Sequence, residues 1–359
     1  VIAFAVMWGM PLLFVISGIG IWHSLQSRDV VSFATERTKR LFVPLIFGTL
    51  VVVPPQVWYR IRVETGRWPV YVDFYRDFLD VELNLRGFPF VVRASPATDY
   101  FEYGQLWFLV LLFGWSLLLI PLFALLRQRR LVERTIDRYG PWPIATGSVA
   151  ILALLGESLP LQPEIALWNK WRYLVLVAYG FVFASERRLG ELLHRARWLI
   201  LAGAVVGFLT FAGTHIATSD VVGSDPLVDY NAAGIVLRTS FAIGGWCWVA
   251  SILSFAATRR RGSRPRERVA ARPTLWQRFA GMANEAVLPV YVLHQTVIVA
   301  IAFAVVSYPI PTGLKYLIVA TSSLVVTLML FQLVRRTQIS RFLFGMKASA
   351  EASPASPKG

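Results

Sequence analysis

The chain has 359 residues, of which 56% are hydrophobic and only 16% are charged, and its mean hydropathy is +0.55. Such a chain has too little polar surface to cover a water-soluble globule, so the composition excludes an ordinary soluble enzyme and indicates a membrane protein. The formal net charge of +15 is also typical of nucleic-acid-binding proteins. Here the basic residues lie in short segments between apolar runs, so we expect membrane lipids rather than nucleic acid as a partner.

About nine apolar runs are long enough to cross roughly 30 Å of hydrocarbon. They predict an all-α fold, a polytopic transmembrane helical bundle over residues 1–334, followed by a cytoplasmic low-complexity tail over residues 335–359. The predicted spans, in chain order, are 1–22, 41–59, 105–126, 143–160, 171–185, 198–217, 231–257, 281–306 and 314–334.

The Lys and Arg residues fall mainly on one side of this predicted bundle. Most of them lie in segments 22–40, 127–142, 186–197 and 258–278 and in the tail. Cytoplasmic loops carry an excess of basic residues, so these segments are predicted to be cytoplasmic. We therefore expect a multi-pass protein of the cell membrane, the inner membrane of a bacterium.

The same orientation places Val1 on the outer face of the membrane. The chain begins directly in an apolar run, with no basic flank and no cleavage-site pattern that would direct export of this end. We therefore expect the sequence to be truncated, with one further helix upstream and about ten spans in the intact protein.

Two loops have a distinctive composition. Segment 60–104 is predicted to be external, and its aromatic residues are spaced as on an amphipathic helix that lies on the membrane surface. Segment 258–278 is basic and contains proline, so we expect it to be disordered or to lie against anionic headgroups. The aromatic residues of the external segment are Trp68, Tyr71, Phe74, Tyr75 and Phe78.

The first span and the loop after it contain two candidate pairs. Ser17 and Gly18 offer a hydroxyl and a bare backbone where an acyl chain can approach closely, although ordinary packing of small residues is the alternative. Arg37 and Arg40 are three residues apart, on one face of a helical turn. Their guanidinium groups suit the phosphates of a coenzyme A donor, whereas charges that only set the topology are the alternative.

Polar residues inside the later spans are further candidates. His294 lies midway through an apolar span, one turn after Tyr291, where an ionisable group is costly unless it faces a cavity or a partner. Its imidazole can accept a proton near neutral pH, although a neutral His that is hydrogen-bonded between helices is the alternative. Arg238, about two turns below the outer face, either holds an anionic acceptor or snorkels outward.

Cysteine usage and residue spacing indicate no metal site. Cys247 is the single cysteine, which excludes an intrachain disulfide and a multi-cysteine metal centre. The other histidines, His23, His194 and His215, lie at span ends or in a loop, where interfacial or solvated positions are the simpler interpretation.

Several segments resemble the acyltransferase-3 family of membrane proteins. MPLLFVISG followed by ERTKRLFVP resembles the family's Ser-Gly pair and its Arg-x-x-Arg-Leu-x-x-Pro stretch. GQLWFLVLLF at 104–113 is similar to its Leu-Trp-Phe-Leu helix start, with Gln105 where members usually have His. LPVYVLHQTVIV at 288–299 resembles its late Tyr-x-Leu-His-Gln helix. LFVPLIFGTLVVVPPQ is similar to the branch that includes glucan-modifying proteins.

The resemblance implies an integral membrane O-acyltransferase. Such an enzyme moves an acyl group from cytoplasmic acyl-CoA, a substrate rather than a bound cofactor, to a hydroxyl of a carbohydrate or lipid-linked acceptor, as in O-acetylation of a glucan. The family carries an Arg and, about ten residues later, a His on its first helix, which is the helix expected upstream of Val1. The fragment alone is therefore expected to be inactive.

Each candidate residue then receives an expected role. Arg37 and Arg40 would bind the donor, the helix expected upstream of Val1 would supply the base, and His294 would be the catalytic residue visible in this chain. A transporter or flippase without covalent chemistry is the competing interpretation, because polar residues at mid-membrane depth and helices broken by Gly or Pro are also typical of transporters. Residues expected to line the acyl path or to face the acceptor are Ser17, Gly18, Trp107, Tyr291 and, on the acceptor side, Arg238.

Overall fold

The computed structural model describes residues 2–158, 169–218, 231–262 and 275–347, and it confirms the predicted all-α fold. Among the described residues, six helices are long and apolar enough to span a membrane, or seven if one bent pair counts as a span. That pair, Gly104–Leu118 and Ile120–Gln128, bends by 44° where Pro121 interrupts backbone hydrogen bonding. The predicted runs 143–160 and 171–185 form helices too short to pass the same test.

The described secondary structure is almost entirely helical. The helices are α1 (Ile2–Ser27), α2 (Val30–Arg37), α3 (Val43–Phe47), α4 (Pro54–Thr65), α5 (Tyr71–Phe78), α6 (Trp107–Leu118), α7 (Ile120–Gln128), α8 (Leu131–Tyr139), α9 (Trp142–Ser158), α10 (Lys170–Ser185), α11 (Arg187–Arg195), α12 (Arg197–Thr218), α13 (Ala232–Gly262), α14 (Leu275–Val306), α15 (Thr312–Val334) and α16 (Gln338–Leu343). A short hairpin joins β1 (Val81–Leu83) to β2 (Val92–Ala94).

The chain divides into two compact units. The first unit comprises residues 1–33 and 115–268, and the second unit comprises residues 34–114 and 269–359, each within its described part. The boundaries fall inside α2 and α6, so both units are built from discontinuous stretches of sequence.

Close contacts between helix backbones characterise the first unit. A Cβ atom added to Gly180 of α10 would lie 2.0 Å from the carbonyl oxygen of Val15 on α1, and one added to Gly18 would lie 2.1 Å from that of Val177. Gly207 of α12 and Gly244 of α13 meet in the same way, at 2.6 Å. Small residues allow membrane helices to approach this closely and to gain van der Waals contact.

Most of one long, interrupted helix, which runs from Val30 to Thr65, lies in the second unit. Wider π-helical turns at Thr38–Phe42 and Gly48–Val52 separate α2, α3 and α4. Pro44 and Pro54 lack the backbone N–H that an α-helix would use, and each sits in the first turn of the α-helical segment that follows a π turn. The helix therefore continues through both prolines with two local changes of geometry.

Segment 60–104 forms a compact cap on the second unit. The predicted amphipathic helix is confirmed as α5. Phe74 and Phe78 are buried in the unit's core against Val57 and Leu106, so the aromatic face packs on protein. The hairpin then follows, with Glu82 opposite Arg93 and an ion pair of 2.9 Å between their side chains.

The predicted linker and tail are partly described. Helix α13 extends to Gly262 and α14 begins at Leu275, so the ends of segment 258–278 are helical, and residues 263–274 lie outside the described residues. Helix α16 and Phe344 pack on α3, with the Phe344 ring 5.2 Å from that of Phe47. The chain up to residue 347, which the sequence assigned to the tail from 335, therefore belongs to the second unit.

Candidate functional site

His294 lies in the second unit on α14, half-buried, with its ring held by its own helix. Its Nδ1 atom is 2.7 Å from the carbonyl oxygen of Tyr291. A carbonyl oxygen only accepts hydrogen bonds, so the neutral imidazole carries its hydrogen on Nδ1, an assignment made from this contact. The lone pair is then on Nε2, which is the atom able to accept a proton from a substrate.

Tyr291 fixes the neighbouring part of α14. Its hydroxyl donates to the backbone carbonyl of Gln105, and its ring packs edge-on against Phe108 with the centroids 5.5 Å apart. The Tyr291 and His294 rings lie 5.8 Å apart. The start of α6 and the middle of α14 are therefore tied together beside the imidazole.

Two buried glutamines continue this polar arrangement. The Gln56 side-chain nitrogen donates to Gln105 Oε1 at 2.9 Å and to Thr296 Oγ1 at 2.6 Å. Gln105 Nε2 donates to the carbonyl oxygen of Val292 at 2.6 Å, and the Thr296 hydroxyl donates to that of Val52 at 2.8 Å. This partly buried arrangement, formed by the side chains of Gln56, Gln105, Tyr291 and Thr296 with the imidazole of His294 beside Tyr291, is called the polar network below.

A tight backbone turn positions Gln105 in the polar network. Gly104 has a φ of +49°, and an added Cβ would lie 3.3 Å from Gln56 Oε1. Glycine adopts this left-handed conformation without strain, which allows the chain to turn into α6 directly beside Gln56. No member of the network carries a formal charge when His294 is neutral, so the arrangement suits hydroxyl and carbonyl groups rather than phosphates.

The two predicted donor arginines occupy different surroundings in the second unit. Arg37 is the last residue of α2 and is half-buried, whereas Arg40 lies in the first π-helical turn and is exposed. Arg40 also forms an ion pair of 3.6 Å with Glu36. The sequence predicted an ordinary helical turn here, and the wider turn changes the relative direction of the two side chains.

The remaining predicted site residues are divided between the two units. Ser17 donates to the carbonyl oxygen of Leu13 on its own helix at 2.8 Å, and Gly18 is covered by the α10 backbone. Packing of small residues, the alternative left open by the sequence, is therefore the observed arrangement at Gly18. Trp107 begins α6 and is half-buried. The structure brings Tyr291 and His294 together in the second unit and places Ser17, Gly18 and Arg238 in the first.

Buried arginines distinguish the first unit. Arg238 is 1% exposed and is partnered within the protein, which does not fit a side chain that snorkels to water. Arg172, which the sequence analysis did not single out, is 0% exposed and donates from Nε and Nη2 to the carbonyl oxygen of Leu155 at 3.3 and 3.2 Å. Arg172 could have been selected in the same way as Arg238, as an arginine within an apolar run.

The sequence analysis also missed two members of the polar network. Gln56 comes directly after Pro54-Pro55, and Thr296 comes two residues after His294. Both lie inside apolar runs. Their hydrogen bond joins residues 240 positions apart. A polar side chain at membrane depth was the available signal, but its partner could not be identified without the fold.

A family model described as an acyltransferase domain matches residues 1–332. The chain belongs to the acyltransferase-3 family. No curated protein and no solved structure matches it. The match runs from the first candidate span into the last, Thr312–Val334, so the protein is a multi-pass membrane protein with an acyltransferase domain.

Within the acyltransferase domain, two of the segments that resemble the family are joined by hydrogen bonds. In this acyltransferase, Gln105 from the Leu-Trp-Phe-Leu segment accepts the Tyr291 hydrogen bond at its backbone and bonds Gln56 through its side chain. Tyr291 and His294 come from the Tyr-x-Leu-His-Gln segment. Two segments recognised separately in the sequence thus meet in one network of the second unit.

The other histidines of the acyltransferase lie in the first unit. His194 Nε2 is 3.2 Å from an Arg197 nitrogen, and the exposed His215 stacks on Phe211. Among the described residues, no three His, Cys, Asp or Glu side chains converge as a metal site would require.

Proposed function

We propose that this membrane acyltransferase moves an acyl group from acyl-CoA to a hydroxyl of a carbohydrate or lipid-linked acceptor, as in O-acetylation of a glucan. The observation that carries the proposal is the contact between His294 Nδ1 and the Tyr291 carbonyl, which leaves Nε2 as a proton acceptor. Membership of the acyltransferase family favours this reaction over transport without covalent chemistry.

The proposed reaction needs one proton acceptor. The resemblance assigns this role to the upstream helix, and His294 is the candidate for it that we propose within the described chain. The acceptor hydroxyl oxygen attacks the thioester carbonyl carbon while Nε2 of His294 takes the hydroxyl proton. A carbon–oxygen bond forms, the carbon–sulfur bond breaks, and the coenzyme A thiolate leaves and receives the proton from the imidazolium. The ester product and free coenzyme A balance the two substrates without an oxidant, a metal or a covalent enzyme intermediate.

Arg37 and Arg40 are the proposed donor-binding residues. Coenzyme A carries phosphate groups, and guanidinium groups bind phosphate through several charge-assisted hydrogen bonds. Arg40 is exposed, and its ion-pair partner in the described chain is the carboxylate of Glu36. A phosphate can therefore compete with this carboxylate for the Arg40 guanidinium group. The surrounding basic segment is the one that the positive-inside rule assigns to the cytoplasm, where acyl-CoA is found.

The donor site is tested by replacing each arginine with alanine in the protein expressed from its natural genomic reading frame. Loss of a hydrogen bond to a charged group costs about 1.5–3 kcal/mol, so Arg37→Ala and Arg40→Ala should each raise the donor KM by about tenfold or more. Initial rates of coenzyme A release against acetyl-CoA concentration give this constant.

The control is Arg134→Ala, which removes an exposed arginine from α8, on the side predicted to be cytoplasmic. Its donor KM should equal that of the wild type. An unchanged donor KM in both Arg37→Ala and Arg40→Ala would remove the proposed donor site.

A further inference from the structure

The second unit contains a cavity of about 390 Å³ at the Thr65 end of α4. One wall is α4, and the other is the irregular segment from Thr98 to Glu102 that precedes α6. The volume lies within the range of about 300–1,000 Å³ that is usual for small-molecule sites. The cavity, called the α4 pocket below, is lined mainly by charged and hydroxyl-bearing side chains, including those of Arg60, Glu64, Thr98, Asp99, Tyr100 and Glu102.

The charged groups of the α4 pocket offer both donors and acceptors. Arg60 lies 2.5 Å from a Glu102 oxygen and 3.9 Å from a Glu64 oxygen, and all three side chains remain partly exposed. The guanidinium group only donates hydrogen bonds, and the ionised carboxylates only accept them. With three carboxylates and one arginine, the pocket disfavours anions such as phosphates, and its polar lining disfavours an acyl chain.

The backbone of the second wall has an unusual conformation. Asp99 has a φ of +51°, in the left-handed region that non-glycine residues rarely adopt. The Thr98 hydroxyl is buried and has no hydrogen-bond partner among the described residues. Left-handed non-glycine residues and unsatisfied polar groups occur together at ligand-binding sites more than elsewhere, and both are found in this wall.

Each wall of the α4 pocket belongs to a stretch of chain that also carries a glutamine of the polar network. Arg60 follows Gln56 by one turn of α4, a distance of about 6 Å along the helix axis. On the other wall, Glu102 precedes Gln105 by three residues, and Gln56 and Gln105 are hydrogen-bonded to each other. The pocket therefore lies beside the two segments that carry Gln56 and Gln105, the two glutamines of the network.

We propose that the α4 pocket binds a polyhydroxylated ligand, a carbohydrate, and that this ligand is the acyl acceptor. Vicinal hydroxyl groups can donate to the carboxylates of Glu64, Asp99 and Glu102 while accepting from Arg60. The assignment as acceptor rests on the proposed function, whereas the binding itself does not. A divalent cation is the weaker alternative, because the guanidinium group lies among the carboxylates and no three metal-binding side chains converge in the described chain.

Binding is tested first, without donor. The protein from its natural reading frame is placed in lipid nanodiscs, and saturation-transfer NMR measures binding of linear hexasaccharides of glucose, galactose and mannose separately. At least one should bind, and Asp99→Asn and Glu102→Gln should weaken it by about tenfold or more, since each removes a charged acceptor. Asparagine tolerates the left-handed backbone, so Asp99→Asn should stay folded.

The matched control is Asp77→Asn, which neutralises an exposed acid on α5 outside the α4 pocket. Its binding should equal that of the wild type. Absence of binding by all three hexasaccharides, or equal binding by the wild type and both pocket variants, would overturn the proposal.

A second arm separates this proposal from the proposed function. Radiolabelled acetyl-CoA is added with each hexasaccharide or with a long-chain alcohol, and ester and free coenzyme A are measured. Saccharide binding that depends on Asp99 and Glu102, with no coenzyme A released under any condition, would support the pocket and contradict the acyltransferase reaction. Transfer only to the alcohol, without saccharide binding, would support the reaction and overturn the pocket.

Discussion

The two units of this membrane protein differ in how their central helices contact one another. In the first unit, helix backbones touch at glycines, as at Gly18 and Gly180. In the second unit, α4, α6 and α14 are joined by side-chain hydrogen bonds among Gln56, Gln105 and Thr296. Backbone contact needs only small residues, whereas a polar network places donors and acceptors where a substrate can use them. The difference favours the second unit as the place of proton transfer.

The largest effect on folding is expected from adding a methyl group at the α1–α10 contact. In Gly180→Ala the new Cβ would lie 2.0 Å from the Val15 carbonyl oxygen, so the two helices must separate. We expect destabilisation at the upper end of the roughly 1–3 kcal/mol typical of overpacking. Thermal unfolding in detergent micelles measures the loss.

The control for this contact is Gly20→Ala on α1, because nothing lies within 4 Å of an added Cβ there. Its unfolding temperature should match or exceed that of the wild type, since alanine favours helices over glycine. Equal destabilisation by both substitutions would show that the glycine contact does not distinguish the first unit.

A smaller effect is expected from breaking the polar network of the second unit. Gln105→Leu removes the bond from Gln56 and leaves the Val292 carbonyl without this donor. We expect a loss of about 1–2 kcal/mol, because hydrogen bonds between membrane helices contribute modestly and buried unsatisfied groups are costly.

Gln332→Leu is the control for this substitution, since it changes an exposed glutamine on α15 of the same unit. Its unfolding temperature should remain close to the wild-type value. A wild-type unfolding temperature in Gln105→Leu would contradict a stabilising role for the network.

The smallest effect is expected at the surface of the first unit, and it depends on pH. Hydrogen bonds from Arg188 hold the pKa of Glu186 below its ordinary value of 4.5. A carboxylate with a lowered pKa stabilises the folded state fully above its unfolded-state pKa, and this stabilisation is lost as the pH falls through the folded-state pKa.

Glu186→Gln should therefore lower stability at neutral pH by about 0.2–1 kcal/mol, as is usual for ion pairs near the surface, and should reduce the acid-induced loss of stability below about pH 4.5. Unfolding midpoints at several pH values measure this, with Glu191→Gln as a control for removing a nearby surface carboxylate. An unchanged pH profile in Glu186→Gln would show that the Arg188 contact contributes nothing.

Much of the helical framework could be predicted from the sequence, because apolar runs must satisfy their backbone hydrogen bonds as helices in a membrane. The amphipathic spacing also located α5. Its burial was not predictable, because an aromatic face packs on lipid or on protein with the same residue pattern. The bend at Pro121 and the two π turns depend on local geometry that hydropathy does not report.

The candidate site was predicted less completely than the fold. His294 and Tyr291 were selected because polar groups are costly inside an apolar span. Gln56 and Thr296 were missed because their mutual contact spans 240 positions, and no local spacing encodes it. Gly18 was selected, but its role could not be predicted, because a small residue suits both an acyl path and a helix contact. The position of the Val177 carbonyl shows that Gly18 forms a helix contact.

The central claim is that His294 in the second unit accepts the hydroxyl proton during acyl transfer. The most direct measurement uses the protein expressed from its natural genomic reading frame. It compares the single-turnover rate of ester formation from acetyl-CoA in the wild type and His294→Gln, with His215→Gln, an exposed histidine of the first unit, as control. Loss of a general base lowers rates by about 10²–10⁴-fold, so His294→Gln should show this loss at an unchanged unfolding temperature, while His215→Gln keeps the wild-type rate. Equal rates for all three proteins would contradict the account.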